Sequence, residues 1–228
     1  MQYVITPPEQ PSVGVHGTEK RFAVRRIFCV GRNYAAHARE MGHNPDREPP
    51  FFFTKPADAL VESGSTIAYP PETQDLHFEI ELVAAIGVSG KNISEETALE
   101  HIFGYGVGID LTRRDLQGQA KKAGRPWDWG KAFDQSAPCS KLTPLNEKQH
   151  PFNNRIWLSV DDELKQDGNT DELIWSVAEV IAIISRSMEI RAGDLIYTGT
   201  PAGVGPVVSG QTLKGGVEGV DEIEISFK

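Results

Sequence analysis

The stretch DLHFEIELVAAIGV, from Asp75 to Val88, decides how this chain folds. Side chains alternate between the two faces of a β-strand, so Phe78 and Ile80 point to one face. Glu79 and Glu81 then point to the other face. The run LVAAIG that follows is apolar on both faces, which is typical of a buried strand. The stretch therefore predicts a strand that carries two carboxylates into the protein core.

These two carboxylates need a partner. On one face of a buried strand they repel each other, so they require a counter-charge, a shared proton or water. A hard divalent cation such as Mg²⁺ or Ca²⁺ satisfies both, because such ions bind oxygen ligands. For Glu79 and Glu81 alone, a solvated strand face is the alternative. Asp110 favours the metal, because it ends a second predicted buried strand, GYGVGIDLT. The three carboxylates would leave coordination positions open for water or substrate.

The composition restricts the class of protein. The chain has 228 residues, 39% of them hydrophobic, and this suits one large domain with a substantial core. A net charge of −9 argues against nucleic acid and against anionic membranes as partners. The N-terminus lacks the basic and apolar regions of a signal peptide, and no apolar run approaches the ~20 residues that span a bilayer. We therefore expect a cytoplasmic protein with no membrane partner.

The pattern of secondary structure predicts a β-rich α+β domain, because short strands predominate and βαβ units do not alternate regularly. Residues 1–25 are expected to form a Pro-rich, irregular N-terminal segment with room for short strands, and residues 26–228 a single domain. Cys29 lies in a predicted apolar strand and is expected to be a buried free thiol. Ser176 and Glu179 form a capping box that predicts a core helix.

A histidine and a carboxylate share one face of a short predicted helix, from Ala35 to Met41. His37 and Glu40 are three residues apart, so their side chains are neighbours. Such a pair can serve in acid–base catalysis. The spacing alone favours a solvated pair, and both interpretations stay open.

Two lysines are further candidates. Lys55 follows the predicted strand FFFT, and Lys131 lies in the aromatic segment RPWDWGKAFD. For each, a position facing a site and a surface position are both compatible with the sequence. A helix after the strand that ends at Asp110 would bring Arg114 and Gln117 to the same cavity, whereas Lys121 of that helix is expected in solvent.

The sequence patterns of two glycine-rich stretches argue against nucleotide binding. GTPAGVG lacks the Gly-Lys-Ser/Thr ending of a P-loop, and GYGVG lacks the last glycine of the dinucleotide fingerprint because Ile109 replaces it. The backbone amides of GTPAGVG, together with Thr200, are instead candidates for holding a carboxylate.

Six stretches in this order resemble the fumarylacetoacetate hydrolase family: VGRNYAAHAREMG, FTKP, HFEIELVAAIG, GYGVGIDLTRRDLQ, WDWGKAFD and LIYTGTPAGVG. The resemblance runs from about Ile27 to Lys228. It implies a mixed β-sandwich roll, a homodimer, and Mg²⁺ or Mn²⁺ as cofactor. It assigns roles to metal ligands (Glu79, Glu81, Asp110), catalytic residues (His37, Glu40, Lys131) and substrate contacts (Arg32, Lys55, Arg114, Gln117, Thr200).

The resemblance also implies a mechanism. The substrate would be a small 2,4-diketo acid, an acylpyruvate, whose pyruvate end binds the metal. Glu40 would orient His37, and His37 would take a proton from the attacking water. Lys131 or a neighbouring amide would stabilise the oxyanion.

The acyl group is predicted from two runs, REMGHNPDREPPFFFTKPADA and YPPETQDLHFEIEL. They look like the branch that hydrolyses fumarylpyruvate in gentisate breakdown, with Arg39, Arg47 or Arg113 as candidates for the second carboxylate. Oxaloacetate decarboxylation and 2-hydroxymuconate-type isomerisation are alternatives at the same site. A non-catalytic metal-binding module is a more distant alternative.

Overall fold

The structure is a computed structural model that describes residues 2–40, 48–145 and 149–228. Strands predominate in these residues. In chain order they are β1 Ser12–Val15, β2 Thr18–Ala23, β3 Arg26–Gly31, β4 Phe51–Lys55, β5 Leu60–Glu62, β6 Ser65–Ile67, β7 Leu76–Phe78, β8 Ile80–Ile86, β9 Ile102–Ile109, β10 Thr112–Arg113, β11 Ala137–Cys139, β12 Thr143–Pro144, β13 Arg155–Val160, β14 Glu163–Asn169, β15 Asp194–Tyr197, β16 Gly205–Pro206, β17 Thr212–Val217 and β18 Asp221–Phe227.

The helices are few and short. The α-helices are α1 Ala35–Glu40, α2 Arg114–Lys122, α3 Asp128–Lys131 and α4 Val177–Ser187, and 3₁₀ turns cover Ala57–Ala59, Glu95–His101 and Thr170–Glu172. The predicted β-rich α+β fold is confirmed. None of the helices described is long and apolar enough to cross a membrane.

Two sheets pack face to face. The larger has eight strands in the order β4-β3-β15-β8-β9-β11-β5, with β12 paired to β9, and it mixes parallel and antiparallel pairs. The second sheet has the order β14-β13-β17-β18-β6. Ile80 and Leu82 of β8 share the main core cluster with Leu158, Leu213 and Ile225 of the second sheet. This core places β8 at the centre of the molecule, buried along its whole length.

The strand predicted from Asp75 to Val88 is present but interrupted. It divides at Glu79 into β7, which joins a small sheet with β10 and β16, and β8, which joins the large sheet. The Ile80 amide just after the break donates to the Gln166 side-chain oxygen at 3.0 Å, in place of a neighbouring strand. The break therefore lies at Glu79, the first of the two carboxylates, while Glu81 stays within β8.

The N-terminal segment is more regular than predicted. Within residues 1–25, β1 and β2 form an antiparallel hairpin. Val13, Val15 and Val24 are buried in a second core cluster with Ile27 and Cys29. The short strands for which the prediction left room are thus present, and three valines give this segment an apolar face that packs into the core.

Other local predictions have mixed outcomes. The capping box at Ser176 and Glu179 begins α4 as expected, and both cysteines are buried and unpaired. Met41 and Arg47 lie outside the described residues.

Candidate active site

A cleft that is open to solvent lies at the break between β7 and β8. It brings together most of the residues predicted for the site. Those that line it are Arg32, His37, Glu79, Glu81, Asp110, Arg114, Gln117, Lys131 and Thr200. Glu40 and Lys55 do not line the cleft but contact residues that do.

The three predicted metal ligands form one cluster on the floor of the cleft. One oxygen from each of Glu79, Glu81 and Asp110 lies within 4.8 Å of the others. The side chains come together because β8 and β9 pair antiparallel and the Asp110 amide donates to the Glu79 carbonyl at 2.8 Å. Exposures of 5%, 2% and 1% rule out the solvated strand face.

Lys131 neutralises two of these carboxylates. Its Nζ donates to Glu79 at 2.8 Å, to Asp110 at 2.6 Å and to the Thr112 hydroxyl at 2.6 Å. Arg114 also donates to Glu79. Burial alone would raise the pKa of Glu79, but Lys131 and Arg114 hold that pKa well below its usual range. An ammonium has three N–H donors, so all those of Lys131 are in use.

Lys55 lies behind the floor, fully buried. Its Nζ donates to the backbone carbonyls of Leu111 and Lys131, the former at 3.0 Å. It lies 2.9 Å from Asp110 Oδ1, yet this oxygen has no hydrogen bond, so the pair is close but poorly aligned. Lys55 therefore holds the backbone around the site without lining the cleft, and its role as a substrate contact stays a prediction.

Glu81 is the carboxylate without a cationic partner among the residues described. Its Oε2 accepts only the Gly199 amide, at 2.8 Å. Burial, followed by the charges of Asp110 and Glu79, raises its pKa well above the usual range. A buried carboxylate repelled by two others, beside the unbonded Asp110 Oδ1, is the donor set that a hard divalent cation satisfies. The residues present thus fit Mg²⁺, Mn²⁺ or Ca²⁺.

His37 and Glu40 form the predicted pair on α1. His37 Nδ1 lies 3.3 Å from Glu40 Oε2, and the His37 ring is buried at the cleft wall. Burial lowers the pKa of His37, although Glu79 and Glu40 partly oppose this. The imidazole is therefore neutral at pH 7, and with Nδ1–H donated to Glu40, its Nε2 is the basic nitrogen. The solvated pair is excluded for His37.

The loop after β15 holds carboxylates of the protein itself. The Gly203 amide lies 3.2 Å from each Glu40 oxygen, and the Gly199 amide reaches Glu81. Gly199 has φ of 106°, a backbone conformation that a side chain would strain. The predicted carboxylate-binding loop is present, with Glu40 and Glu81 as the carboxylates that its amides bind.

Gln166 is a residue that the sequence analysis missed. Fully buried on β14, it donates through Nε2 to Thr200 Oγ1 at 2.8 Å and to the Pro201 carbonyl at 2.9 Å. Since the Thr200 oxygen accepts this bond, its own O–H points elsewhere and is available to a ligand. Gln166 is thus a positioning residue for Thr200.

A close approach of two helices turns Lys131 inward. A side chain at Gly130 would meet the backbone nitrogen of Gln117 at 2.9 Å, so only glycine lets α3 lie this close to α2. In the same place Arg114 donates to Gln117 Oε1 at 2.8 Å. Of the two positions that the sequence left open for Lys131, the structure shows the one that faces the site.

Besides the predicted Arg32, the mouth of the cleft contains residues that were not predicted there. Phe51 and Trp127 make an edge-to-face pair with centroids 5.1 Å apart. Lys121 Nζ lies 4.8 Å from the Trp127 ring centroid, and Arg32 lies 5.3 Å from that of Phe51. Burial, followed by the positive charges of Arg114 and Arg32, lowers the pKa of Lys121 to about 8. The expectation that Lys121 is solvated is wrong.

Of the residues predicted for a second carboxylate, the two that the structure describes do not line this cleft. Arg113 stacks on the Phe133 ring at 4.3 Å, outside the lining, and Arg39 is exposed on α1. Arg47 lies outside the described residues.

Comparison with known proteins decides the family. The sequence profile of the fumarylacetoacetate (FAA) hydrolase C-terminal family matches residues 26–228. The chain belongs to the fumarylacetoacetate hydrolase family. The fumarylpyruvate hydrolase of a Ralstonia species is 48% identical to it, over 82% of this chain and 97% of that protein. The mitochondrial oxaloacetate tautomerase FAHD1 of Arabidopsis thaliana is 42% identical, over 89% of this chain and 91% of that protein.

A solved structure of the fumarylacetoacetate hydrolase family extends the likeness to the whole fold. The crystal structure of fumarylpyruvate hydrolase from Pseudomonas aeruginosa, in complex with Mn²⁺ and pyruvate, has a TM-score of 0.96 to this chain. It is 52% identical and covers 99% of each chain. The predicted mixed β-sandwich roll of this family is therefore confirmed.

Proposed function

We propose that this chain is a metal-dependent hydrolase that cleaves fumarylpyruvate to fumarate and pyruvate. Water adds its hydroxyl to the distal keto carbon, the C–C bond to the pyruvate methylene breaks, and that methylene gains a proton. The observation that carries the proposal is a neutral His37, held by Glu40, in one cleft with three buried carboxylates. The fumarylpyruvate hydrolases among its relatives support the choice of acyl group.

The water is activated by His37. Its Nε2 accepts the water proton while Nδ1–H stays bonded to Glu40, whose negative charge stabilises the imidazolium that forms. Gly203 holds the Glu40 carboxylate through its amide. Glu40 is thus a positioning residue and His37 the general base.

Glu79, Glu81 and Asp110 would hold the cation, which we propose to be Mg²⁺ or Mn²⁺. When bound, the cation supplies Lewis-acid polarisation of the pyruvate end of the substrate. Arg114, Gln117 and Thr200 line the same cleft and carry N–H or O–H donors for the substrate oxygens.

Lys131 is the proposed donor to the developing oxyanion. All its N–H donors are engaged by Glu79, Asp110 and Thr112, so it must exchange one of these bonds to donate to substrate. If Lys131 gives up its bond to Thr112, Glu79 and Asp110 both stay neutralised.

A second reaction at the same residues is enol–keto chemistry on oxaloacetate, favoured by the tautomerase among the relatives. Oxaloacetate decarboxylation and 2-hydroxymuconate-type isomerisation stay alternatives of the same kind. These reactions need no activated water, so they depend less on His37 as a base than hydrolysis does.

The test uses protein stripped with a chelator and restored with Mg²⁺ or Mn²⁺. Loss of the enol absorbance of fumarylpyruvate is followed together with pyruvate release, for wild type, His37→Gln and His16→Gln. His16 is exposed in the N-terminal hairpin and serves as the matched control. Metal-dependent, stoichiometric pyruvate release that falls in His37→Gln alone supports the hydrolase. Turnover of oxaloacetate without pyruvate release from fumarylpyruvate contradicts it, and turnover of neither favours the non-catalytic module.

A homodimer, cytoplasmic location and a place in gentisate breakdown stay predictions. The family resemblance supports the dimer, and light scattering of the purified protein would measure it. A monomeric mass would contradict it.

A further inference from the structure

Two cations at the mouth of the cleft stand apart from the catalytic residues on its floor. Lys121 lies on α2 and Arg32 follows β3, and both line the cleft. Neither makes an ion pair within residues 2–40, 48–145 and 149–228. Burial is the main cause that lowers the pKa of both residues, and nearby charges contribute to the shift. Arg114 is a third positive charge close enough to repel Lys121.

An aromatic pair lies beneath these two cations. Trp127 lies beneath Lys121 and Phe51 beneath Arg32, and the two rings touch edge to face. The wall thus presents an apolar surface that carries two positive groups, and Arg32 is near enough to Lys121 to lower its pKa. A flat, apolar chain that ends in an anion complements such a wall, because the rings pack on the chain while the cations pair with its charge.

Arg32 is held in this position by a constrained backbone. Its φ of 56° is left-handed, which is uncommon for a residue other than glycine. The next residue, Asn33, is buried and donates to the carbonyls of Trp175 at 2.9 Å and Thr198 at 2.8 Å. These bonds fix the chain on one side of Arg32, so its position at the mouth follows from the fold.

We propose that Lys121 and Arg32 form a second anion subsite, which binds the distal carboxylate of a dicarboxylic acylpyruvate. This inference rests on the proposed function and adds the group that selects its substrate. The fumaryl chain would lie along Phe51 and Trp127, and Lys121 would be the specificity-determining residue. Lys121 and Arg32 line the same cleft as Glu79 and Lys131, so one small substrate can reach both the mouth and the floor.

The subsite predicts a change in substrate discrimination. Kinetics of the Mg²⁺-loaded enzyme are compared for fumarylpyruvate and for acetylpyruvate, which lacks the second carboxylate. In Lys121→Met, kcat/KM for fumarylpyruvate should fall about 10- to 100-fold more than kcat/KM for acetylpyruvate, the range for one lost charged hydrogen bond. Lys121→Arg should recover most of the discrimination.

Lys122→Met is the matched control, because Lys122 is the next residue of α2 and is exposed. It should keep the wild-type ratio of the two kcat/KM values. Equal losses for both substrates in Lys121→Met, or no loss for either, would overturn the subsite.

A binding measurement separates this proposal from the proposed function. Fumarate and crotonate differ only in that a methyl group replaces one carboxylate. Calorimetric titration of the Mg²⁺-loaded protein should give tighter binding of fumarate, and Lys121→Met should remove that preference. If wild type hydrolyses neither acylpyruvate, the proposed function fails, while a fumarate preference that depends on Lys121 still supports the subsite. An absent preference in wild type overturns it.

Discussion

The floor and the mouth of the cleft are built from different parts of the fold. On the floor, the carboxylates come from two central, paired strands, and Lys131 bridges two of them. At the mouth, the cations come from a short helix and a strand end, and aromatic rings are their neighbours. The floor is therefore fixed by sheet register, whereas the mouth can change by substitution on α2 without disturbing the sheet. Chemistry and substrate choice are separable in this arrangement.

The largest effect is expected from the floor. Asp110→Asn and Glu81→Gln should each lower kcat by at least about 10³-fold, because each removes an anionic oxygen from the cation site. In chelator-treated protein the two should differ. Asp110→Asn should lower the free energy of unfolding by about 3 kcal/mol, since Lys55 and Lys131 lose a buried partner.

Glu81→Gln should instead raise the urea midpoint of the chelated protein. It removes a carboxylate that lacks a cationic partner among the described residues and keeps an acceptor for the Gly199 amide. Urea unfolding measures this difference. If both variants were destabilised equally, Asp110 and Glu81 would not differ in their pairing with cations, and the comparison would fail.

A smaller effect is expected from the residue that joins the floor to the second sheet. Gln166→Leu should lower kcat/KM about 10-fold, as the Thr200 hydroxyl loses its orientation. It should also lower the free energy of unfolding by about 1–3 kcal/mol, because the Ile80 amide loses its acceptor. Gln119→Leu, exposed on α2, is the control. Wild-type kinetics with lowered stability would limit Gln166 to a structural role.

The smallest effect is a shift in pH dependence. Neutral His37 is the active form, and burial lowers its pKa from 6.5, so the rate should fall with decreasing pH only below pH 6.5. Glu79 and Glu40 raise this pKa while Arg114 lowers it. Glu40→Gln removes one raising contribution, so the acid limb of the kcat profile should move to lower pH, by less than about one unit. Movement to higher pH would contradict the assignment of His37 as base.

The floor was predictable because alternation along one strand places Glu79 and Glu81 together. Burial of that strand leaves few ways to stabilise their charges. Lys131 needed the family resemblance, since its inward turn depends on Gly130 packing against another helix. Lys121 was missed because the polar face of a helix looks the same in sequence whether it meets solvent or a cleft wall.

Gln166 was missed for a related reason. On an alternating strand its spacing does not reveal what the opposite sheet brings to it. Its three partners, at Ile80, Thr200 and Pro201, are all more than thirty residues away in sequence. Local patterns therefore predict the strands, and docking of the two sheets decides this contact.

The Ile80 amide makes this docking observable. Because a side chain of the second sheet satisfies it, its exchange with deuterium reports separation of the sheets, whereas Leu82 and its neighbours within β8 report fraying of the strand ladder. Faster exchange at Ile80 than along the rest of β8 would identify a partly opened form in which the strands persist and the catalytic cleft is already dismantled.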